Sequence, residues 1–246
     1  MELKGRTAIV TGAGGGIGSA IATALAQAGA HVLVFDRNEA ATAKLVERLG
    51  ARCTPVAADF ADADALQEAV RGCLERHGAI DVLVNNAGVL SPDKLGTTTL
   101  DHWRKLMAIN LDAALLLTQA VVPGMKERRW GRIVNIASFA WKTGGLTAGT
   151  AYSVSKAALV GLTFSTAREL AGDGVTANAV APAYVISPMI MEQLSEEARA
   201  RQLAAIPVGR FCEPEEVAHT VRFLASPLSG FMTGVVVDMN GGMQFG

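Results

Sequence analysis

Thr7-Ala8-Ile9-Val10-Thr11-Gly12-Ala13-Gly14-Gly15-Gly16-Ile17-Gly18 runs from an apolar stretch through a glycine turn into the helical spacing of Ile17, Ile21, Leu25 and Ala28. Strand, turn and helix in that order present backbone amides at a helix N-terminus, where the peptide dipole favours negative charge. Without Cβ atoms in the way, a pyrophosphate can come close. This is the setting a dinucleotide fingerprint requires. The common Gly-x-Gly-x-x-Gly form is not met, because position 19 is Ser19. A Walker loop fails as well, since neither Lys nor Arg lies between Thr11 and Gly18.

Outward from this turn the chain alternates. Strands are expected near 7–11, 31–36, 52–57, 80–86, 131–137, 174–180 and 234–238, and helices near 16–29, 39–49, 62–77, 99–128, 150–171 and 213–226. The pattern predicts an α/β fold, a doubly wound Rossmann-type domain whose parallel sheet of about seven strands has helices on both faces. Continuous apolar strands such as Ile80 to Val84 suit that burial. Gly29, Gly50 and Gly78 end helical patterns, and Pro214 with Glu215 and Glu216 begins one. No repeat or linker interrupts the chain, so residues 1–246 read as a single dinucleotide-binding and catalytic domain. Ligands in such sheets bind beyond the carboxyl ends of the strands. Gly12, Asp36, Asp59, Asn86 and Ser138 lie just past such ends.

Half of the residues are hydrophobic, 18% are charged and the net charge is −1, without a basic run. Neither nucleic acid nor a membrane is expected as a partner. Met1 to Val10 lacks a signal core and no uninterrupted apolar stretch reaches ~20 residues, so a cytoplasmic protein is expected. Cys53, Cys73 and Cys212 are widely separated and suggest neither a disulfide frame nor zinc. Cys73 falls on the stripe of Leu66, Ala69 and Val70 and is assigned to the core. His31, His77, His102 and His219 sit in separate patterns, which supports neither a metal site nor a hydrolase triad.

Further along, Tyr152-Ser153-Val154-Ser155-Lys156 places a phenol and an ammonium on one helix face. A phenol loses its proton near pH ~10 and becomes useful at neutral pH when a nearby cation stabilises the phenolate, the task expected of Lys156. Alone the spacing is common. With the glycine turn, Asn85-Asn86-Ala87-Gly88, Ser138 after Arg132 to Ile136, Asn178-Ala179-Val180-Ala181-Pro182 and Asn240-Gly241-Gly242-Met243, it resembles the short-chain dehydrogenase/reductase family over essentially the whole chain.

That resemblance implies a catalytic set of Asn110, Ser138, Tyr152 and Lys156. The nicotinamide dinucleotide would lie against Gly12, Gly16, Ile17, Gly18, Asp36, Arg37, Asp59, Phe60, Asn86, Ala87, Gly88, Pro182, Val185 and Ser187, with Tyr152 and Lys156 at its reactive end. Tyr152 would exchange a proton with the substrate oxygen, Ser138 would hold that oxygen, and Asn110 would support a water relay near Lys156. Asn110 has a competing role as a helix N-cap. A homotetramer through the helices bearing Asn110 and Tyr152 is also implied.

Asp36 follows Gly18 by some 18 residues, where a carboxylate accepts bonds from the adenosine ribose and repels a 2′-phosphate. NAD is therefore expected over NADP, although Arg37 could accommodate a phosphate and Asp36 could instead cap the following helix. Three departures stand out. Ser138 and Tyr152 are fourteen apart, one more than is usual, so the loop from Phe139 to Thr150 must absorb a residue; Ala183 replaces the usual Gly after Pro182; Ser187 replaces a Thr. Phe139, Trp141, Leu146, Tyr184, Ile190 and Met191 are the candidate substrate residues, Lys142 could serve a polar substrate, and a segment at about 187–210 is expected to cover the cofactor. The leading expectation is an NAD-dependent oxidoreductase interconverting a secondary alcohol and a ketone. An NADPH-dependent 3-oxoacyl thioester reductase, to which Met239 to Met243 looks similar, and a non-catalytic dinucleotide sensor remain open.

Overall fold

The computed structural model describes residues 1–186 and 195–245. Seven strands, β1 (Thr7–Thr11), β2 (His31–Asp36), β3 (Cys53–Ala57), β4 (Val82–Asn85), β5 (Gly131–Ile136), β6 (Val175–Pro182) and β7 (Val236–Met239), form one sheet in the order β3-β2-β1-β4-β5-β6-β7. Every pairing is parallel. The helices are α1 (Gly16–Gln27), α2 (Glu39–Leu49), α3 (Ala63–His77), α4 (Leu100–Met107), α5 (Ala113–Glu127), α6 (Ala140–Thr143), α7 (Thr150–Leu170), α8 (Glu196–Ala204) and α9 (Pro214–Ala225).

Burial explains the layering. Alternate residues of the strands feed two cores: Ala8, Val10, Val32, Val34 and Val84 meet α1 and α9, while Ile9, Leu33, Leu83 and Ile133 meet α3 and α5. Glycine caps behave as expected, with Gly29, Gly50 and Gly78 all at positive φ after helices. Pro214 opens α9 behind a capping box made by Glu213 and Glu216. Cys73 is 1% exposed, in the core.

The run from Leu100 to Glu127 differs from a single helix. Between α4 and α5, Ala108–Asp112 form a π turn, closed by a bond from the Ala113 amide to the Ala108 carbonyl. The run has 28 residues and holds an 18-residue stretch of mean hydropathy 1.6, long and apolar enough to cross a membrane, which the sequence did not suggest. Its apolar face is used within the fold, since Leu106, Leu117, Val121 and Met125 are at most 1% exposed. Of the anticipated covering segment, residues 187–194 lie outside the described residues and the remainder holds α8.

The strand order reverses between β1 and β4, and such a switch point opens a crevice at the carboxyl ends. Thr11 ends β1 there. Its hydroxyl accepts bonds from the Asn86 and Ala87 amides, both at 2.9 Å, and the Asn86 amide nitrogen donates to the Thr11 carbonyl at 2.8 Å.

Candidate active site

The glycine turn leaves an open cradle. Gly12 has φ +64°, and a Cβ there would come within 2.9 Å of the Ala87 backbone; a Cβ on Gly18 would strike the Gly12 carbonyl. On the open side, a Cβ on Gly16 would meet only Pro214, at 4.0 Å. The first bond of α1 runs from Ser19 to the Gly15 carbonyl, so the amides of Gly16, Ile17 and Gly18 have no acceptor within the helix. No side chain caps them and no acidic residue occupies the first turn. This donor set fits a pyrophosphate.

Asp36 stands at the rim. One carboxylate oxygen accepts from the Gly14 amide and the other from the Asn38 amide, each at 2.8 Å. Asn38 caps α2 through the Ala41 amide, which leaves the capping role to Asn38 rather than Asp36. Arg37 is exposed. Asp59 is exposed too, its carboxylate turned onto the Ala61 amide, while Phe60 packs into the core beside Leu66.

At the other end of the crevice α7 carries Tyr152 and Lys156. The helix is held against the sheet by a buried polar chain: Asn85 donates to Asn135 at 2.8 Å, and Asn135 to the Thr163 hydroxyl at 2.9 Å. The Tyr152 phenol lies against the Ser138 side chain, whose hydroxyl accepts from the Ala140 amide at 3.2 Å. Lys156, 4% exposed, donates to the Ile136 carbonyl at 2.8 Å, and its ammonium lies 5.8 Å from the centre of the Tyr152 ring. Burial lowers the Lys156 pKa to about 8. The Tyr152 phenol is raised by burial and partly brought back by Ser138. Lys156 was expected to supply that downward pull; in the structure the neighbouring Ser138 side chain does so.

Asn110 sits within the π turn, 1% exposed. Its side chain accepts from the Val89 amide at 2.8 Å and donates to the Val89 carbonyl at 3.1 Å and to the Ser155 hydroxyl at 3.0 Å. It is therefore a bridge between the strand-end loop and α7, not an N-cap. Gly88 fits between them: a Cβ there would lie 3.3 Å from both the Asn110 oxygen and the Lys156 ammonium.

A cavity of about 600 Å³ opens beside these groups, lined by Ile17, Asn86, Gly88, Ser138, Phe139, Leu146, Tyr152, Lys156, Pro182, Tyr184 and Val185 among others. Together, a phosphate cradle and a Ser, Tyr and Lys cluster at one sheet edge can bind a dinucleotide and move a proton to a carbonyl oxygen beside it.

The family described as enoyl-(acyl carrier protein) reductase matches residues 12–244. A 3-oxoacyl-[acyl-carrier-protein] reductase of Thermotoga maritima is 39% identical over 246 residues, covering 99% of each chain. The chain is a short-chain dehydrogenase/reductase. Among solved structures, the Brucella melitensis 3-oxoacyl-[acyl-carrier protein] reductase superposes with a TM-score of 0.93 at 35% identity, covering 100% of this chain and 93% of that one. The Agrobacterium tumefaciens 3-oxoacyl reductase with NADP bound gives 0.92 at 34% identity, covering 98% and 95%. As a short-chain dehydrogenase/reductase the protein is an NAD(P)-dependent oxidoreductase.

Several expected pocket residues separate within this short-chain dehydrogenase/reductase. Phe139, Leu146 and Tyr184 line the cavity. Trp141 does not: it packs with Ala137, Val160 and Val236, because α6 turns it toward β6 and β7. Lys142 is committed to Asp238 at 2.5 Å rather than presented to a substrate. Ser187, Ile190 and Met191 lie outside the described residues. The loop with the extra residue folds as α6 and is tied down by Lys94, whose ammonium donates to the Gly145 carbonyl at 2.8 Å and the Ala148 carbonyl at 2.6 Å. Gly149 and Thr150 add backbone bonds to Ser91 and Asp93. Sequence reading missed Lys94, and no signal marks it, since its partners are main-chain carbonyls. Among the described residues no His, Cys, Asp or Glu cluster could hold a metal.

Proposed function

We propose that this short-chain dehydrogenase/reductase reduces the keto group of a 3-oxoacyl thioester with NADH, and that Tyr152 is its proton donor. The chemistry rests on one observation, the placement of Ser138 against the Tyr152 phenol at the cavity wall with the Lys156 ammonium beside the ring. A keto oxygen bound there takes the place of one hydroxyl's partner: Ser138 fixes the oxygen and Tyr152 gives it a proton as negative charge develops. Bound nicotinamide dinucleotide supplies the hydride to the carbonyl carbon. Lys156 would hold the cofactor ribose, Ser138 favours the phenolate left behind, and the amides of Gly16, Ile17 and Gly18 would take the pyrophosphate. Asn110 keeps the Val89 loop and α7 in register around the ammonium. The same reading includes a homotetramer.

Relatives support the thioester substrate and reverse the order of the sequence reading, which put a general secondary alcohol and ketone first. The apolar cavity wall suits an acyl chain. For the cofactor the indications differ. Asp36, anchored by the Gly14 and Asn38 amides at the end of β2, is a carboxylate that would repel a 2′-phosphate, and this favours NADH. The NADP in the Agrobacterium relative favours NADPH as the second reading. Initial rates on acetoacetyl thioesters with each cofactor decide: the expected result is higher kcat/KM with NADH, and a preference for NADPH overturns the assignment of Asp36.

A further inference from the structure

The cavity wall is mostly apolar, built by Ile17, Val89, Pro92, Ile136, Phe139 and Val185. Most polar side chains on it already have work. Asn86, Ser138, Tyr152 and Lys156 belong to the cofactor and the keto group, and the Thr143 hydroxyl is bonded to the Phe139 carbonyl and the Gly145 amide. Gln202 differs. It reaches the cavity from α8, on the covering segment, and its side-chain carbonyl oxygen is sealed from water without meeting any donor among the described residues. Buried amide acceptors are nearly always paired, because an unpaired one forfeits its hydration with nothing in return. The terminal amide torsion of glutamine is broad, so a small rotation presents the oxygen to the cavity.

We infer that Gln202 is a specificity-determining residue that accepts a hydrogen bond from an N–H or O–H donor on the substrate, outside the keto group held by Ser138 and Tyr152. The inference rests on the reading of this cavity as the site of carbonyl reduction. In a 3-oxoacyl thioester the donor has two sources: an amide N–H on the thioester arm, or a hydroxyl on the acyl chain. Either satisfies the same oxygen, and a substrate with neither leaves it unpaired.

Three substrates separate the cases: ethyl acetoacetate, which has no donor; its 4-hydroxy derivative; and the acetoacetyl thioester of N-acetylcysteamine, which carries an amide N–H. In Gln202→Leu, kcat/KM for the donor-bearing substrate relative to ethyl acetoacetate is expected to fall about tenfold, chiefly through KM, as for the loss of one hydrogen bond. Whether the hydroxyl or the amide substrate shows the fall identifies the source. The ligand-free variant is expected to unfold at the same temperature or higher, since an unpaired buried acceptor has been removed. Equal losses on all three substrates, or a lower unfolding temperature, would mean a structural role and overturn the inference. The parent reading fails differently: it is refuted when the unaltered protein turns over none of the three, or when Tyr152→Phe retains its activity.

Discussion

Lys156 keeps its proton at neutral pH in a site that works against it. Moving an ammonium from its ordinary pKa of 10.5 to about 8 corresponds to about 3 kcal/mol of lost solvation. The sign follows directly. The group is charged below about pH 8, so productive capture of the cofactor by the free enzyme is expected to fall as pH rises through 8, seen as a descending limb in kcat/KM for NADH. Its effect on folding is opposite: the cost is fully present below pH 8 and is relieved between there and 10.5, where the unfolded chain binds the extra proton. Tyr152→Phe removes the proton donor and keeps the ring. Turnover is expected to drop by about 10²–10⁴, with an unchanged unfolding temperature, in a steady-state assay paired with a thermal melt. Asp36→Ala is expected to narrow the ratio of kcat/KM values for NADH and NADPH; an unchanged ratio dismisses its role. These side chains were legible in the sequence because their types and spacings are set by chemistry. The Ser138 contact that acts on Tyr152, by contrast, depends on where α6 sends the chain.

At the scale of elements, the sequence located each strand and five helices to within about two residues, because apolar periodicity and glycine or proline boundaries coincide there, and it read α4 and α5 as one helix. It did not find α6 or α8. Each is short, and α6, of four residues, has too few turns to show a period. The π turn was equally hidden, since one additional residue in an apolar helix leaves the pattern readable as a longer helix. Loop geometry at the pocket wall makes a sharp prediction. Gly145 has φ +85°, and a Cβ there would meet the Ser153 hydroxyl and lie 2.6 Å from the Ala148 carbonyl. Gly145→Ala should destabilise the fold by about 1–3 kcal/mol in chemical denaturation and raise KM for the keto substrate. Asn110→Ala, which strips bonds from both polar groups of Val89 and from Ser155, should cost about 2–4 kcal/mol by the same measurement.

On the molecule as a whole, the crevice between β1 and β4 follows from strand order, and strand order from the alternation of apolar runs along the chain. Leu90 and Leu146 are exposed at the cavity beside it, and other large apolar groups are exposed away from it. Phe223, Leu228 and Phe231 gather around the end of α9, at 50%, 95% and 104% exposure, and Leu115, Val154 and Phe164 stud α5 and α7 at 40%, 40% and 46%. Such surface on two sides is what a homotetramer would cover. Sedimentation is expected to give four times the 25.6 kDa chain mass, and Phe231→Asp to reduce it. The π turn carries a last consequence. A protein shortened by one residue between Ala108 and Ala113 could close into an uninterrupted α-helix that still fills the same core, yet Asn110 would swing away from the Val89 loop and from Ser155. A single codon deletion there would separate architecture from catalysis, leaving a well-folded scaffold free to drift toward other employment.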